Sequence, residues 1–207
     1  FQGFIGWYMV SSGLVDRVDV SHFRLSLHLI FAFLILSLIL WNYFKLNIKN
    51  NNQSKLNIFF PLSFLILIFL QIVIGAFVSG MDAGLVYNSW PLMGSTYFPD
   101  DNKLTNLLSM DAFSDVSLVQ FLHRNLAYII LIFYFMILFK VYKENIRNSF
   151  LAINILGIFL LLQIILGILT LLNGVQIFLA SMHQISSIFL VSSSIYLLYQ
   201  NKKINFS

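Results

Sequence analysis

The chain has 207 residues, 59% of them hydrophobic and 10% charged, with a mean hydropathy of +0.86. Soluble domains run near 45–50% apolar and about 25% charged, so this composition belongs in a membrane and excludes a soluble enzyme or a disordered tail. The net charge of +4 comes from 12 Lys and Arg against 8 acids and forms no dense basic face, which excludes nucleic acid as a partner. With no Cys there is no disulfide, no thiolate nucleophile and no Cys-held metal, leaving His, carboxylate and Met as the available ligands.

The chain opens Phe1-Gln2-Gly3-Phe4-Ile5, with neither an initiator Met nor the charged n-region of a signal peptide, and reads as beginning inside a longer sequence. A partial span at about 1–11 is followed by five complete ones, at 25–44, 58–79, 119–139, 150–172 and 176–199. Each is near the ~20 apolar residues that cross a hydrocarbon core of about 30 Å. Lys45, Lys49 and Lys55 lie in one connection, Lys140, Lys143, Glu144 and Arg147 in another, and Lys202 and Lys203 in the tail. By the positive-inside rule these face the cytoplasm, and the C-terminus with them. The alternate connections face outward: 12–24, the Asn173-Gly174 turn, and the long 80–117, where Asp82, Asp100, Asp101, Asp111 and Asp115 stand against Lys103 alone.

A repeat underlies this topology. Gln2, Gly6 and Gly13 are spaced by four and seven residues, Gln163, Gly167 and Gly174 repeat both steps, and Gln71 with Gly75 repeats the first. A small residue one turn from an amide suits close helix packing in lipid, with the amide as an interhelical hydrogen bonder. The duplication pairs the span of His28 with that of His183, and the partial first span with 150–172.

Three of the four histidines, His28, His123 and His183, fall inside spans, where an ionisable residue is expensive and by default functional. They sit about three, four and seven residues past the starts of spans that all run in one direction, within about 6 Å in depth of one another. Facing imidazoles at one level, without Cys or carboxylate beside them, suit bis-His haem iron better than zinc, which wants a third and fourth ligand. Arg24, one turn before His28, and Arg124, adjoining His123, are candidate donors to haem propionates; interfacial snorkelling explains either equally well. His22 stands with Arg17, Asp19 and Arg24 and reads as a surface residue. In the long loop, the segment 80–94, with Tyr87, Trp90, Pro91 and several glycines, favours an ordered interfacial cap, and 100–115 reads as a solvated acidic stretch.

Ser12-Gly13-Leu14-Val15-Asp16-Arg17 with Arg24 and His28-Leu29, Ala83-Gly84 through Tyr87-Asn88-Ser89-Trp90-Pro91-Leu92-Met93, Gln120-Phe121-Leu122-His123-Arg124, and Met182-His183-Gln184 together carry a resemblance. Over nearly its whole length the chain resembles the haem A synthase family, in the cysteine-free branch of alphaproteobacteria and mitochondria. The resemblance implies eight membrane helices in two similar four-helix bundles. It implies haem b held by His123 and His183 as axial ligands, and His28 as a catalytic, iron-facing residue beside the substrate haem O. The implied reaction oxidises a haem methyl group to a formyl group by successive hydroxylations, giving haem A for cytochrome oxidase.

The expectation is therefore an all-α integral membrane protein in two units, residues 1–45 as half of a duplicated N-terminal bundle and 57–200 as a complete C-terminal haem-binding bundle. Its first two family helices have no counterpart here, so the chain is expected to be a fragment without turnover of its own. Haem O, membrane lipid, an unidentified electron donor, haem O synthase and a second copy of the chain are the partners open to it, in a bacterial inner or mitochondrial inner membrane. The rival reading is a bis-His b-type cytochrome that only carries electrons. A transporter fits less well, because the midplanes read as Leu, Ile and Phe.

Overall fold

The computed structural model describes residues 1–11, 20–48 and 56–202. Gly13, Arg17, Asp19, Lys49, Lys55 and Lys203, each part of a sequence expectation above, lie outside the described residues. Six α-helices follow in order: α1 (Gln2–Val10), α2 (His22–Asn47), α3 (Phe59–Gly80), α4 (Val116–Lys143), α5 (Arg147–Leu172) and α6 (Ile177–Asn201). The last five are long and apolar enough to cross a membrane. Their outer faces carry large apolar side chains such as Leu38, Ile39, Ile132, Phe139 and Ile158, each more than 60% exposed. A face of that kind is wetted by lipid chains rather than water.

Helix α4 overruns the apolar stretch of the sequence because its ends carry polar groups that cap it and complement its dipole. At the start of α4 the Asp115 carboxylate accepts from Leu118 N–H at 2.9 Å, and at its end Lys140 and Lys143 complement the helix dipole. Lys140 also pairs with Glu144 one turn on.

Helices α3, α4, α5 and α6 close into a ring in which each packs on the next and α6 returns to α3, so α4 and α6 stand on opposite corners. Phe64, Ile130, Ile137, Ile153, Leu156 and Val191 fill the centre, each no more than 1% exposed. Helix α2 lies outside the ring against α3 and α6, and α1 packs on α2. Trp41 meets Tyr199 edge to face at 5.4 Å and Phe44 meets Tyr196 at 5.5 Å. The end of the bundle away from the long loop is tied by one buried amide. Asn201 Oδ1 accepts from Leu56 N–H at 2.8 Å and from the Ser149 hydroxyl at 3.1 Å.

Gly157 sets how closely α4 and α5 approach. A Cβ there would stand 2.0 Å from the Tyr134 hydroxyl oxygen and 2.7 Å from its Cζ, and Tyr134 is itself buried while donating to Ile153 O at 3.3 Å. Only glycine leaves room, the small-residue device by which membrane helices gain van der Waals contact. Gly157→Ala should destabilise the bundle by about 1–3 kcal/mol or more, the usual cost of overpacking. Thermal unfolding in detergent reads this out, and an unchanged midpoint would show that α4 and α5 are free to separate.

Candidate functional site

The three Gln–Gly steps of the sequence turn out to be seats for the three membrane histidines. Gln71 and Gly75, one turn apart on α3, face His123 of α4; Gln163 and Gly167 on α5 face His183 of α6; Gln2 and Gly6 on α1 face His28 of α2. In every seat the glutamine Nε2 donates to the main-chain oxygen of the histidine, at 3.0, 3.0 and 2.9 Å respectively. In every seat a Cβ on the glycine would press on the imidazole Cε1, at 3.1, 3.1 and 3.2 Å. The sequence showed the glutamines as generic interhelical glue and the glycines as packing residues. Their spacing marks a common helix face, whereas the partner across the interface is visible only once the helices are paired.

His28, His123 and His183 are the seventh, eighth and seventh residues of α2, α4 and α6. At a rise of about 1.5 Å per residue they share a level more closely than hydropathy alone suggested. His123 and His183 lie on helices at opposite corners of the ring. Nδ1 of each is buried and has no hydrogen-bond partner among the described residues. His28 differs, since both of its ring nitrogens lie within 3.5 Å of the Gln2 amide.

These observations fit bis-His iron better than a protein-only metal site. Two imidazoles with buried Nδ1 atoms stand on opposite helices of one bundle, each held by a glycine seat that a methyl group would fill. Among the described residues no cluster of three or more His, Cys, Asp or Glu gathers to hold a metal ion. A planar macrocycle supplying the remaining ligands removes that requirement.

The other candidates are engaged in local contacts. Arg24 donates to Tyr8 O at 3.0 Å and stacks over the Tyr8 ring at 4.1 Å, fastening the end of α1 to α2. Arg124 gathers the long loop: Nη1 donates to Ser89 O at 2.8 Å and Leu92 O at 3.2 Å, and Nη2 to Tyr87 O at 2.9 Å. Its Nε–H is buried without a partner. Reading His22 as a surface residue needs correcting. It is the first residue of α2, half-buried, with its ring 4.1 Å from that of Phe23 and 5.3 Å from that of Phe77. The backbone of Gly80 admits it, because a Cβ there would stand 2.9 Å from His22 Cβ.

The loop between α3 and α4 is an ordered lid over the histidine end of the bundle, built on short 3-10 turns at Ala83–Leu85, Leu104–Leu108 and Met110–Ser114. Trp90 donates to the Tyr128 hydroxyl at 2.9 Å, Tyr97 to Asn125 Oδ1 at 2.6 Å and Gln120 to Tyr87 O at 3.0 Å, so the lid rests on the first turns of α4. Asn88 reaches across to Leu171 O at 3.1 Å and ties it to α5 as well. The expected cap at 80–94 is present. The stretch at 100–115 is largely exposed, as expected, and it is also ordered, because the carboxylates of Asp100, Asp101 and Asp115 accept hydrogen bonds from neighbouring groups.

Asp100 accepts from the Thr96 hydroxyl at 2.7 Å and from Ser95 N–H at 3.1 Å, beneath Gly94, whose φ of 78° a larger residue would resist. Asp101 accepts from the Ser117 hydroxyl at 2.6 Å and the Tyr87 hydroxyl at 3.0 Å. Composition indicated the exposure but not the order, because nothing in an Asp-rich segment reveals which hydroxyls the chain folds back to meet. The lid also exposes Leu104, Leu108 and Met110, at 69, 92 and 82%, where they can enter the membrane interface.

Thr96 and Ser95 hold the Asp100 carboxyl below the usual carboxylate range. At Asp101 burial pushes upward, but the bonds from Ser117 and Tyr87 outweigh it and leave that carboxyl low too. Carboxyls lowered on folding stabilise fully above their unfolded pKa of about 3.9 and lose that contribution as pH falls through their folded values. The lid should therefore resist proteolysis equally from pH 8 to 5 and open only below about pH 4. Asp101→Ala should open it at neutral pH, at a cost of about 1–3 kcal/mol for the hydroxyls left unpaired. Limited proteolysis across residues 87–101 measures both, and a lid whose protection already declined at pH 6 would contradict the assignment.

Five helices fit to cross a membrane, a closed ring of four, and histidines seated at one level under an ordered lid define a multi-pass helical membrane protein with a built imidazole pair. The chain matches the family described as cytochrome oxidase assembly protein over residues 1–195, and it belongs to that family. It is 46% identical over 200 residues to a curated protein of Pelagibacter ubique, with 97% of this chain and 59% of that protein covered. It is 42% identical to one of Rickettsia bellii, over 92% of this chain and 58% of that protein, and 39% identical to one of Flavobacterium johnsoniae, over 98% and 61%. All three bear the name heme A synthase. The chain thus spans about three-fifths of the length of these relatives.

Proposed function

We propose that the protein carrying this chain is a haem A synthase, oxidising a methyl group of haem O to a formyl group by successive hydroxylations, for use in cytochrome oxidase. The seated pair His123 and His183, on opposite corners of the ring with buried unpartnered nitrogens, is the observation that carries this reading. Those two residues hold haem b, which supplies one-electron transfer when bound. Gly75 and Gly167 leave room for the imidazoles against α3 and α5, and Gln71 and Gln163 donate to the main chain of the same histidines. Residues 57–200 form this haem b unit. Residues 1–45 contribute His28 to a second, substrate-binding unit, whose other walls come from the length of the relatives that this chain does not span.

Arg24 and Arg124 bring positive charge to the histidine end, and the unpartnered Nε–H of Arg124 is free to meet a propionate. The lid excludes water from that end through its contacts with α4 and α5. Lys140, Lys143 and Arg147 at the opposite end favour a cytoplasmic C-terminus, in a bacterial or mitochondrial inner membrane. An electron donor, haem O synthase and a second copy of the protein remain its candidate protein partners.

The test uses the full-length protein in membranes supplied with haem O, with product haems separated by chromatography. Formyl haem A accumulates if the reading holds. Intact bound haem b without any formyl product would make the protein an electron-carrying b-type cytochrome instead.

A further inference from the structure

We propose that residues 104–113 of the lid form a foot that inserts into the membrane leaflet at the histidine end, with Leu104, Leu108 and Met110 among the acyl chains of its lipids. The inference is independent of the haem reading. These three are the most exposed of the lid's large apolar side chains. They lie on the two 3-10 turns, Leu104–Leu108 and Met110–Ser114, that lead into α4. Large apolar groups gathered on one short segment mark a surface that something apolar covers.

Phe113 shows which way the segment faces. Its ring meets that of Phe77 edge-on at 6.3 Å, and Phe77 in turn meets Phe23 of α2 at 5.1 Å. The three rings close the lid end of a lateral groove of about 570 Å³ between α2, α3 and α4, with Leu70, Leu126 and Ile129 further down its walls. A second apolar groove shares Leu70 and runs on between α2 and α3 to Leu34 and Leu65. From Phe77 to Leu65 is about 18 Å of helix, on a flank where Ile66, Leu70 and Ile129 are each about half exposed. That flank belongs to helices fit to cross a membrane, so it is a lipid-facing surface. In a 3-10 turn residues three apart eclipse, and Met110 therefore stands on the same side as Phe113, about 6 Å along the axis. The foot continues the surface that lipid already covers.

Charge favours lipid chains over a charged partner. Asp100, Asp101 and Asp115 already accept from Thr96, Ser117 and Leu118 N–H. The exposed Lys103 and Asp111 add one charge of each sign, so the foot offers no net field to an anionic headgroup or a basic protein. Apolar burial drives the insertion, while the two charged side chains reach back to the headgroup level. With Asn88 tied to α5 and Arg124 of α4 holding Tyr87 and Ser89, the foot makes the bilayer a third support of the lid and keeps Phe113 over the groove.

The test places Leu108→Cys or Met110→Cys as the only cysteine of the full-length protein, attaches a nitroxide, and reconstitutes the protein in phosphatidylcholine nanodiscs. This chain has no cysteine of its own, and both side chains are exposed, so the label displaces no packed group. Power saturation compares collisions with oxygen, which concentrates among acyl chains, and with a nickel chelate, which stays in water. The oxygen-to-nickel ratio should be several-fold higher at both positions than for the free nitroxide in buffer, and high salt should leave it unchanged. A ratio equal to that in buffer places the foot in water and overturns the proposal. Shielding from both reagents with an immobilised spectrum means that protein covers the foot, either a second copy or the length of the relatives that this chain does not span, and overturns it too. A ratio that falls to the buffer value in high salt shows electrostatic attachment and overturns apolar insertion. Leu104→Cys decides by the same criteria if either variant fails to assemble.

Discussion

His123→Ala and His183→Ala should each abolish the low-spin spectrum of bound haem b, while far-ultraviolet circular dichroism of the protein in detergent stays that of a helical bundle. Each imidazole is a part of the site that no neighbour can replace. The described residues offer no cluster of alternative ligands, and the two rings approach from opposite corners of the ring of helices. The apo-bundle should survive, because its centre is filled by Phe64, Ile137, Ile153 and Val191, none more than 1% exposed. Truncating a half-buried imidazole seated on a glycine removes surface from one helix contact, at a cost of about 1–3 kcal/mol of packing. The spectral effect is all-or-none, because six-coordinate low-spin iron requires both axial nitrogens. A single alanine variant holding high-spin haem is consistent with this assignment, and a double variant that kept the low-spin bands would end it.

The membrane fold was legible because the bilayer imposes a length, and five apolar runs met it. The helix ends were less legible. Asp115 and the Lys140–Lys143 turn extend α4 beyond its apolar run by capping and dipole terms that hydropathy does not register. The level of the three histidines could be counted from the sequence, and so could the Gln–Gly step. Joining the two could not, since a four-residue spacing names a helix face without naming what that face meets. The local partners of Arg124 and Asp101 were hidden for a related reason. A guanidinium reads as a partner for carboxylates or propionates and an acidic loop as solvated, and neither reading names the three main-chain carbonyls that Arg124 meets or the Ser117 and Tyr87 hydroxyls from which Asp101 accepts. Backbone groups and hydroxyls are present everywhere in a sequence, so pairing with them leaves no pattern to read.

In the full-length protein, His28→Ala should cut haem A formation on the order of 10–100-fold or more, the range that loss even of an outer-shell contact to a metal ligand produces. The Soret band of the haem b proposed on His123 and His183 should stay largely intact. The separation follows from placement. His28 lies on α2, outside the ring of α3 to α6, and its seat is made by Gln2 and Gly6 of α1 rather than by any residue that touches His123 or His183. Helix α2 is held independently of that histidine, by Trp41 and Phe44 against Tyr199 and Tyr196 and by Arg24 over Tyr8, so removing the imidazole should leave the helix in position. Gly6→Ala gives a milder version of the same experiment. Its Cβ would press on the His28 ring at 3.2 Å and tilt the imidazole without deleting it, so product should fall by less than in His28→Ala. Chromatography of the product haems, run beside the bound-haem spectrum, separates the two units. Normal haem A output from His28→Ala would remove His28 from the catalytic site, and joint loss of both signals would show that the two units share a haem rather than holding one each.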